Sequence, residues 1–143
     1  MNASRPIRVC QVTWSMGFGG MQRVIADLCR SLDRRRYAIT VFCTHSVGEL
    51  ADEIRGYGVD ILHVPATRRW EHWIRPARLY GVFRRMRPDV VHTHNIAALT
   101  EAAVPARLAG VPLVVHTDHA KGYPVRRLDL LYLRWLSAFT DAF

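Results

Sequence analysis

Two histidine pairs and one glycine-rich turn hold the residues of this chain best suited to chemistry. His92-x-His94 closes the run "PDVVHTHN" (88–95), and His116-x-x-His119 lies in "VVHTDHAKG" (114–122). Imidazoles change charge near neutral pH and can donate, accept or ligate through either ring nitrogen. The turn "SMGFGG" (15–20) runs straight into an amphipathic stretch. Glycines let a backbone approach a ligand closely, and the free N–H groups of a helix start favour an anion. Gly19 and Gly20 are therefore a candidate phosphate cradle.

What surrounds these residues narrows the chemistry. A dinucleotide fold wants G-x-G-x-x-G after its first strand and an acid near the end of its second. Here Gly17 and Gly19 are followed by Gln22 in the third glycine's place, and the second apolar run ends in Cys43-Thr44-His45 with no carboxylate. No G-K-[ST] follows the turn, so it is not a Walker loop. Trp14-Ser15 stand where receiver-domain chemistry needs acids. His92, His94, His116 and His119 together would suit zinc. Yet Asp118 is the only carboxylate beside them, and strand alternation puts His92 and His94 on one face, where His92 can be buried in a sheet. No metal site is expected.

The elements that must position these groups alternate regularly. Apolar runs "IRVCQVTW" (7–14), "YAITVFCT" (37–44), "VDILHVP" (59–65), "PDVVHTHN" (88–95) and "VPLVVHT" (111–117) read as strands. Between the first two, Met21, Val24, Ile25, Leu28 and Leu32 follow a helical period. "GELADEIRGYG" reads as a short helix closed by glycine. Leu79, Val82, Phe83 and Met86 mark another helix, "IAALTEAAVPARLAG" a fourth that Pro105 should kink, and Val125 to Phe139 a fifth. Strands apolar on both faces imply a parallel sheet covered by helices. Right-handed crossovers then give an α/β, Rossmann-like, doubly wound sheet. With no repeat, low-complexity tract or linker, residues 1–143 read as one domain. In strand order 3-2-1-4-5, ligands would bind where the first and fourth strands diverge. "SMGFGG", "HTHN" and "HTDHAKG" would converge there.

Composition adds a field and a compartment. The net charge is +8, and Lys121 is the only lysine beside the arginines. Such a field attracts anions, whether nucleic acid, anionic lipid or phosphorylated ligands. Cys10, Cys29 and Cys43 sit in apolar runs without CxxC spacing, as free thiols of a reducing compartment do. No signal-peptide or membrane-spanning stretch is present in the chain, so the expected location is cytoplasmic.

"GFGGMQRVIADLCRSL", "RRMRPDVVHTHN" and "ARLAGVPLVVHTDHAKG" resemble the N-terminal domain of family 4 glycosyltransferases of the GT-B fold. The resemblance spans Ile7 to Phe143, with each motif on its expected loop. It implies transfer of a sugar from a nucleotide-sugar donor, with retention and without a cofactor or required metal. It places Gly19 and Gly20 against the donor diphosphate, His116 at the donor sugar near the reaction centre, and His94 and Asn95 along the acceptor side. Many members carry Glu at the position of Gln22. The acceptor would be a glycan or lipid-linked molecule. The aromatic and basic stretch "TRRWEHWIRPARLYGVFRRMRP" suits an anionic membrane surface, with Arg68 and Arg69 as acceptor-side candidates. Nucleic acid is not an expected partner.

The family is bilobal, and its second lobe, with an acidic E-x7-E pair, supplies most donor binding. No such lobe lies within these residues, so they are expected to form the acceptor-side half of an enzyme. Leu128, Leu131, Tyr132, Trp135 and Phe139 form one helical stripe with Leu130 and Leu133 outside it, leaving apolar surface for a missing partner. The alternative is a non-catalytic module that binds an anionic glycan or lipid through its arginine-rich face.

Overall fold

The structure is a computed structural model and describes residues 5–64, 74–119 and 127–143, excepting the side chains of 127–129. The elements are β1 (Ile7–Ser15), α1 (Gly20–Ser31), β2 (Tyr37–Ser46), α2 (Ala51–Gly56), β3 (Asp60–His63), α3 (Arg75–Met86), β4 (Val90–His94), α4 (Ile96–Leu108), β5 (Leu113–Thr117) and α5 (Arg127–Ser137). All pairings within the five-stranded sheet are parallel, in the order β3-β2-β1-β4-β5. The doubly wound α/β architecture and the expected strand order are both present.

Strand alternation divides the core in two. Val41 and Cys43 of β2 pack with Ile25, Ala26 and Cys29 of α1 and with Ile54 of α2. Cys10, Val12, Phe42, Val91 and Val114 point the other way, against Leu79 and Phe83 of α3 and an alanine row on α4. That row, Ala98, Ala102 and Ala106, recurs every fourth residue and lets α4 lie close to the sheet. Phe42 meets Phe83 edge-on at 6.1 Å between centroids. All three cysteines are buried free thiols, pushed by burial up to about 12 for Cys10 and Cys43 and about 11 for Cys29.

Two expectations are corrected. The helix expected from Gly48 begins only at Ala51, because Gly48 adopts a positive φ of 77° and turns the chain before it. α4 keeps its helical span from Ile96 to Leu108 with Pro105 buried inside it, at the cost of one backbone donor. The packed face of α5 is not the expected stripe. Leu136 is fully buried against Leu99 and Ala103, with Leu133 and Phe139 alongside, whereas Leu131, Tyr132 and Trp135 are exposed. Helical periodicity located an apolar face, but the small residues of α4 decided which side fits.

Beyond α5 the chain returns to the sheet. Ala142 forms a single parallel bridge with Val115, on the edge of β5 away from β4. His116 N–H donates to Ala142 O at 3.0 Å, and Asp141 N–H to Val114 O at 2.7 Å. No described helix is long and apolar enough to cross a membrane.

Candidate functional site

β1 and β4 are neighbours whose crossovers leave in opposite directions, so a crevice opens beyond their carboxyl ends. Two helix N-termini reach it, and they differ. α4 is closed: its N-cap Asn95, held at φ 72°, accepts from Ala98 N–H at 2.9 Å through Oδ1. Asn95 Nδ2 points back to Met21 Sδ of α1 at 3.6 Å, so this side chain ties the two helices together. α1 is open: no side chain caps it, and no acidic residue stands in its first turn.

The glycines at that open end are not needed by the chain's own geometry. Gly19, the N-cap, is extended at φ 172°, a conformation any residue adopts. A Cβ on Gly19 would crowd only the flexible Gln22 side chain, and one on Gly20 would meet no atom within 4 Å. What forces the turn is Gly48. It has a positive φ, and a Cβ there would overlap the backbone of Met16 and Gly17. Met16 N–H donates to Val47 O at 3.1 Å and Leu50 N–H to Met16 O at 2.8 Å, clamping the two loops together.

The histidines divide between the faces of the sheet. In the β4–β5 register Thr93 sits beside His116, and His94 beside Thr117. His116 therefore shares a face with Thr93, whose Oγ1 lies 2.9 Å from His116 Nδ1. The Phe143 ring stands 4.7 Å from the imidazole, and the buried Nε2 has no hydrogen-bond partner among the described residues. Burial lowers the His116 pKa, against the opposing pull of the Asp118 carboxylate.

On the other face the His92 and His94 rings lie 4.0 Å apart between centroids, tilted by 41°. His92 Nε2 lies 2.8 Å from Thr117 Oγ1. His94 is fully buried, with Nε2 2.6 Å from Gln11 Oε1 and Nδ1 3.0 Å from His119 Nε2. Burial, reinforced by the neighbouring histidines, pushes His92 down to about 4 and His94 down to about 2, so both are neutral at pH 7. Among the described residues no group of three or more His, Cys, Asp or Glu side chains is arranged to hold one metal ion.

The carboxyl end also holds groups that periodicity did not single out. Arg75, the first residue of α3, is buried and ion-paired with Glu101 of α4. Its guanidinium carbon lies 6.0 Å from the centre of the Trp14 ring, which stacks on His45 at 4.4 Å. Gln11, a polar residue inside an apolar strand, was the one available signal for the His94 contact. Arg68 and Arg69 lie outside the described residues.

Residues 18–143 match the family model described as Glycosyltransferase Family 4. The chain belongs to glycosyltransferase family 4. Among curated proteins it is 30% identical over 139 residues to the UDP-Gal:alpha-D-GlcNAc-diphosphoundecaprenol alpha-1,3-galactosyltransferase of Escherichia coli, covering 93% of this chain and 35% of that protein. The chain thus spans about a third of the length of that relative. A glycosyltransferase from Rickettsia africae shares the fold at TM-score 0.70 and 14% identity, over 90% of this chain and 34% of the other. MurG of Acinetobacter baumannii does so at TM-score 0.69 and 13% identity, over 95% and 40%. The family match and the sheet topology agree on a lobe of the GT-B type.

Proposed function

We propose that residues 1–143 form the acceptor-side lobe of a retaining transferase that moves a sugar from a nucleotide-diphosphate sugar to a glycan or lipid-linked acceptor. A second lobe, carrying most of the donor contacts, completes the enzyme. The observation that supports this best is the open start of α1 at the switch point, beside an α4 start that is already capped. A departing nucleoside diphosphate gathers negative charge in the transition state. Fixed N–H groups at Gly20, Met21 and Gln22 would meet that charge without reorganising, which favours the transition state over the bound donor. Gly20 leaves open space for a phosphate oxygen, and over Gly19 only the flexible Gln22 side chain would have to swing aside. His116 offers its unpartnered Nε2 to a donor-sugar hydroxyl. Asn95 and the His94 loop face the acceptor, joined by Arg68 and Arg69.

The family relative acts on a diphosphoundecaprenol-linked sugar, which supplies both a probe and a location. An anionic membrane surface would meet the basic, aromatic side of the lobe. There Tyr80, Leu108, Tyr132 and Trp135 line a groove of about 550 Å³ between α3, α4 and α5, with exposed Arg84 and Arg134 on its helices.

The test uses the native polypeptide with UDP-galactose and GlcNAc-diphosphoundecaprenol as probes. His116→Ala should lower kcat at least ~100-fold, the scale of a lost positioned proton or hydrogen-bond partner, while the circular dichroism spectrum stays unchanged. Wild-type turnover by that variant would remove His116 from the reaction. Glycan binding with no transfer by the wild-type protein, over a panel of nucleotide-sugars, would favour the non-catalytic module.

A further inference from the structure

α3 ends in a basic turn that its own fold only half explains. Arg84 and Arg85 stand in the last turn, where a cation meets the negative end of the helix dipole. Arg87, the C-cap, is different. It is held at φ 49° and ψ 59°, a left-handed conformation that glycine adopts without strain and arginine does not. Among the described non-glycine residues only Asn95 shares a positive φ, and its side chain caps α4. The Arg87 side chain has no such internal use. Neither its guanidinium nor that of Arg84 has an ion pair or hydrogen bond among the described residues.

Both arginines line a cavity of about 310 Å³ between the α3–β4 and α4–β5 connections, at the amino end of the sheet and a strand's length from the crevice. Phe83, Pro88, Val111 and Pro112 give it an apolar wall. The one carboxylate in the lining, Asp89, is already occupied by both guanidinium arms of Arg5 and by the Arg8 N–H. The carbonyls at the helix ends are occupied too. Met86 O accepts from Arg8 Nη1 at 2.9 Å, Phe83 O from Arg87 N–H at 2.8 Å, and Arg107 O from Gly110 N–H at 2.9 Å. What remains open is positive: two exposed guanidiniums three residues apart at one helix end. Two such forks match the oxygens of a phosphate group and balance its two charges. The volume is near the lower limit for small-ligand sites, roughly 300 Å³.

We propose that this cavity binds a phosphomonoester between Arg84 and Arg87, at a site separate from the start of α1. The proposal goes beyond the transferase reading and does not rest on it. The ligand is a phosphate dianion on a compact body whose apolar side lies against Pro88 and Pro112. A free metabolite or a lipid headgroup can carry that group.

Calorimetric titration of the native polypeptide with glycerol 3-phosphate tests it, at fixed ionic strength and at pH 8, where the ligand is a dianion. Saturable binding is expected. Arg84→Gln and Arg87→Gly should each weaken it about tenfold, the scale of a lost charge-assisted hydrogen bond. Glycine also relieves the left-handed backbone, so the melting temperature of Arg87→Gly should hold or rise, and its loss of binding is then a loss of the guanidinium alone. Arg35→Gln removes an exposed arginine from the α1–β2 connection and should stay within about twofold of wild type, because a distant charge is screened. An equal loss in Arg35→Gln would reduce the effect to the overall field and overturn the site. Binding that survives both α3 variants and disappears in Gly20→Ala also overturns it, placing the phosphate at α1 and leaving the transferase reading intact. Phosphatidylcholine vesicles containing phosphatidic acid separate the two sources. Sedimentation with them that both α3 variants abolish, without binding of glycerol 3-phosphate, assigns the site to a lipid phosphomonoester. Failure to bind either form overturns the proposal.

Discussion

The two ends of the sheet treat their polar groups in opposite ways. At the amino end, Asp89 receives both guanidinium arms of Arg5 at 2.7 Å and the Arg8 N–H at 2.8 Å. Those donors, Arg5 foremost, pull its carboxyl down to about 2. At the outer strand, Asp141 accepts from Val114 N–H at 2.7 Å and pairs with Arg107 at 2.5 Å. At the carboxyl end, by contrast, α1 is uncapped and His116 Nε2 has no described partner. The imidazoles of His92 and His94 are held neutral. A polar group already given its full set of partners can only stabilise the fold. One held rigidly and left incomplete can bind something else.

The contrast predicts two separate losses of stability in acid. His94 has its pKa lowered by folding, so its contribution is complete above the unfolded value near 6.5 and falls away as pH drops from there. One withheld proton corresponds to about 3 kcal/mol between pH 6.5 and 4. Asp89 is also depressed, and its smaller contribution is lost only as pH falls from 3.8 toward 2. Denaturant midpoints measured across pH 2–8 should show the upper loss shrink in His94→Gln, with His92 and His116 supplying the rest, and the lower one shrink in Asp89→Asn, with Asp141 supplying the rest. One merged transition, unmoved by either change, would erase the distinction between the ends.

The open end must also be rigid. Gly48→Ala should cost about 3 kcal/mol or more, because it combines positive-φ strain with backbone overlap at Met16 and Gly17. A denaturant midpoint equal to wild type would mean that the turn is not clamped. Asp89→Asn at pH 7 should cost less, about 1 kcal/mol after solvent screening of a partly exposed pair. Gly20→Ala gives the smallest stability effect and the sharpest contrast. Nothing in the protein meets its Cβ, and alanine is the better helix former, so stability should hold or rise by up to ~0.5 kcal/mol. The KM for UDP-galactose should nonetheless rise about tenfold, as a methyl enters the phosphate's space. A stability loss without a donor effect would make Gly20 a structural glycine.

Much of this was legible in order along the chain. Near-continuous apolar runs between amphipathic stretches dictate a parallel sheet with two helical layers, because a strand buried on both faces has nowhere else to go. The family motifs then placed Gly19, Gly20, His94, Asn95 and His116 at or next to the carboxyl ends of the strands. The sequence by itself thus determined the fold class, the strand order and which segments gather at the carboxyl end of the sheet, all of which depend on local pattern and chain connectivity. Only the tertiary structure decided which side chains meet. Registry between β4 and β5 separates His116 from His94 by a full sheet face. Gln11 and His94 are 83 positions apart. Gly48 is required by a loop it does not belong to, and α5 chose Leu136 over the stripe its own periodicity suggested. Each of these rests on contact between distant segments, and helix and strand periods carry no information about that until the segments are packed.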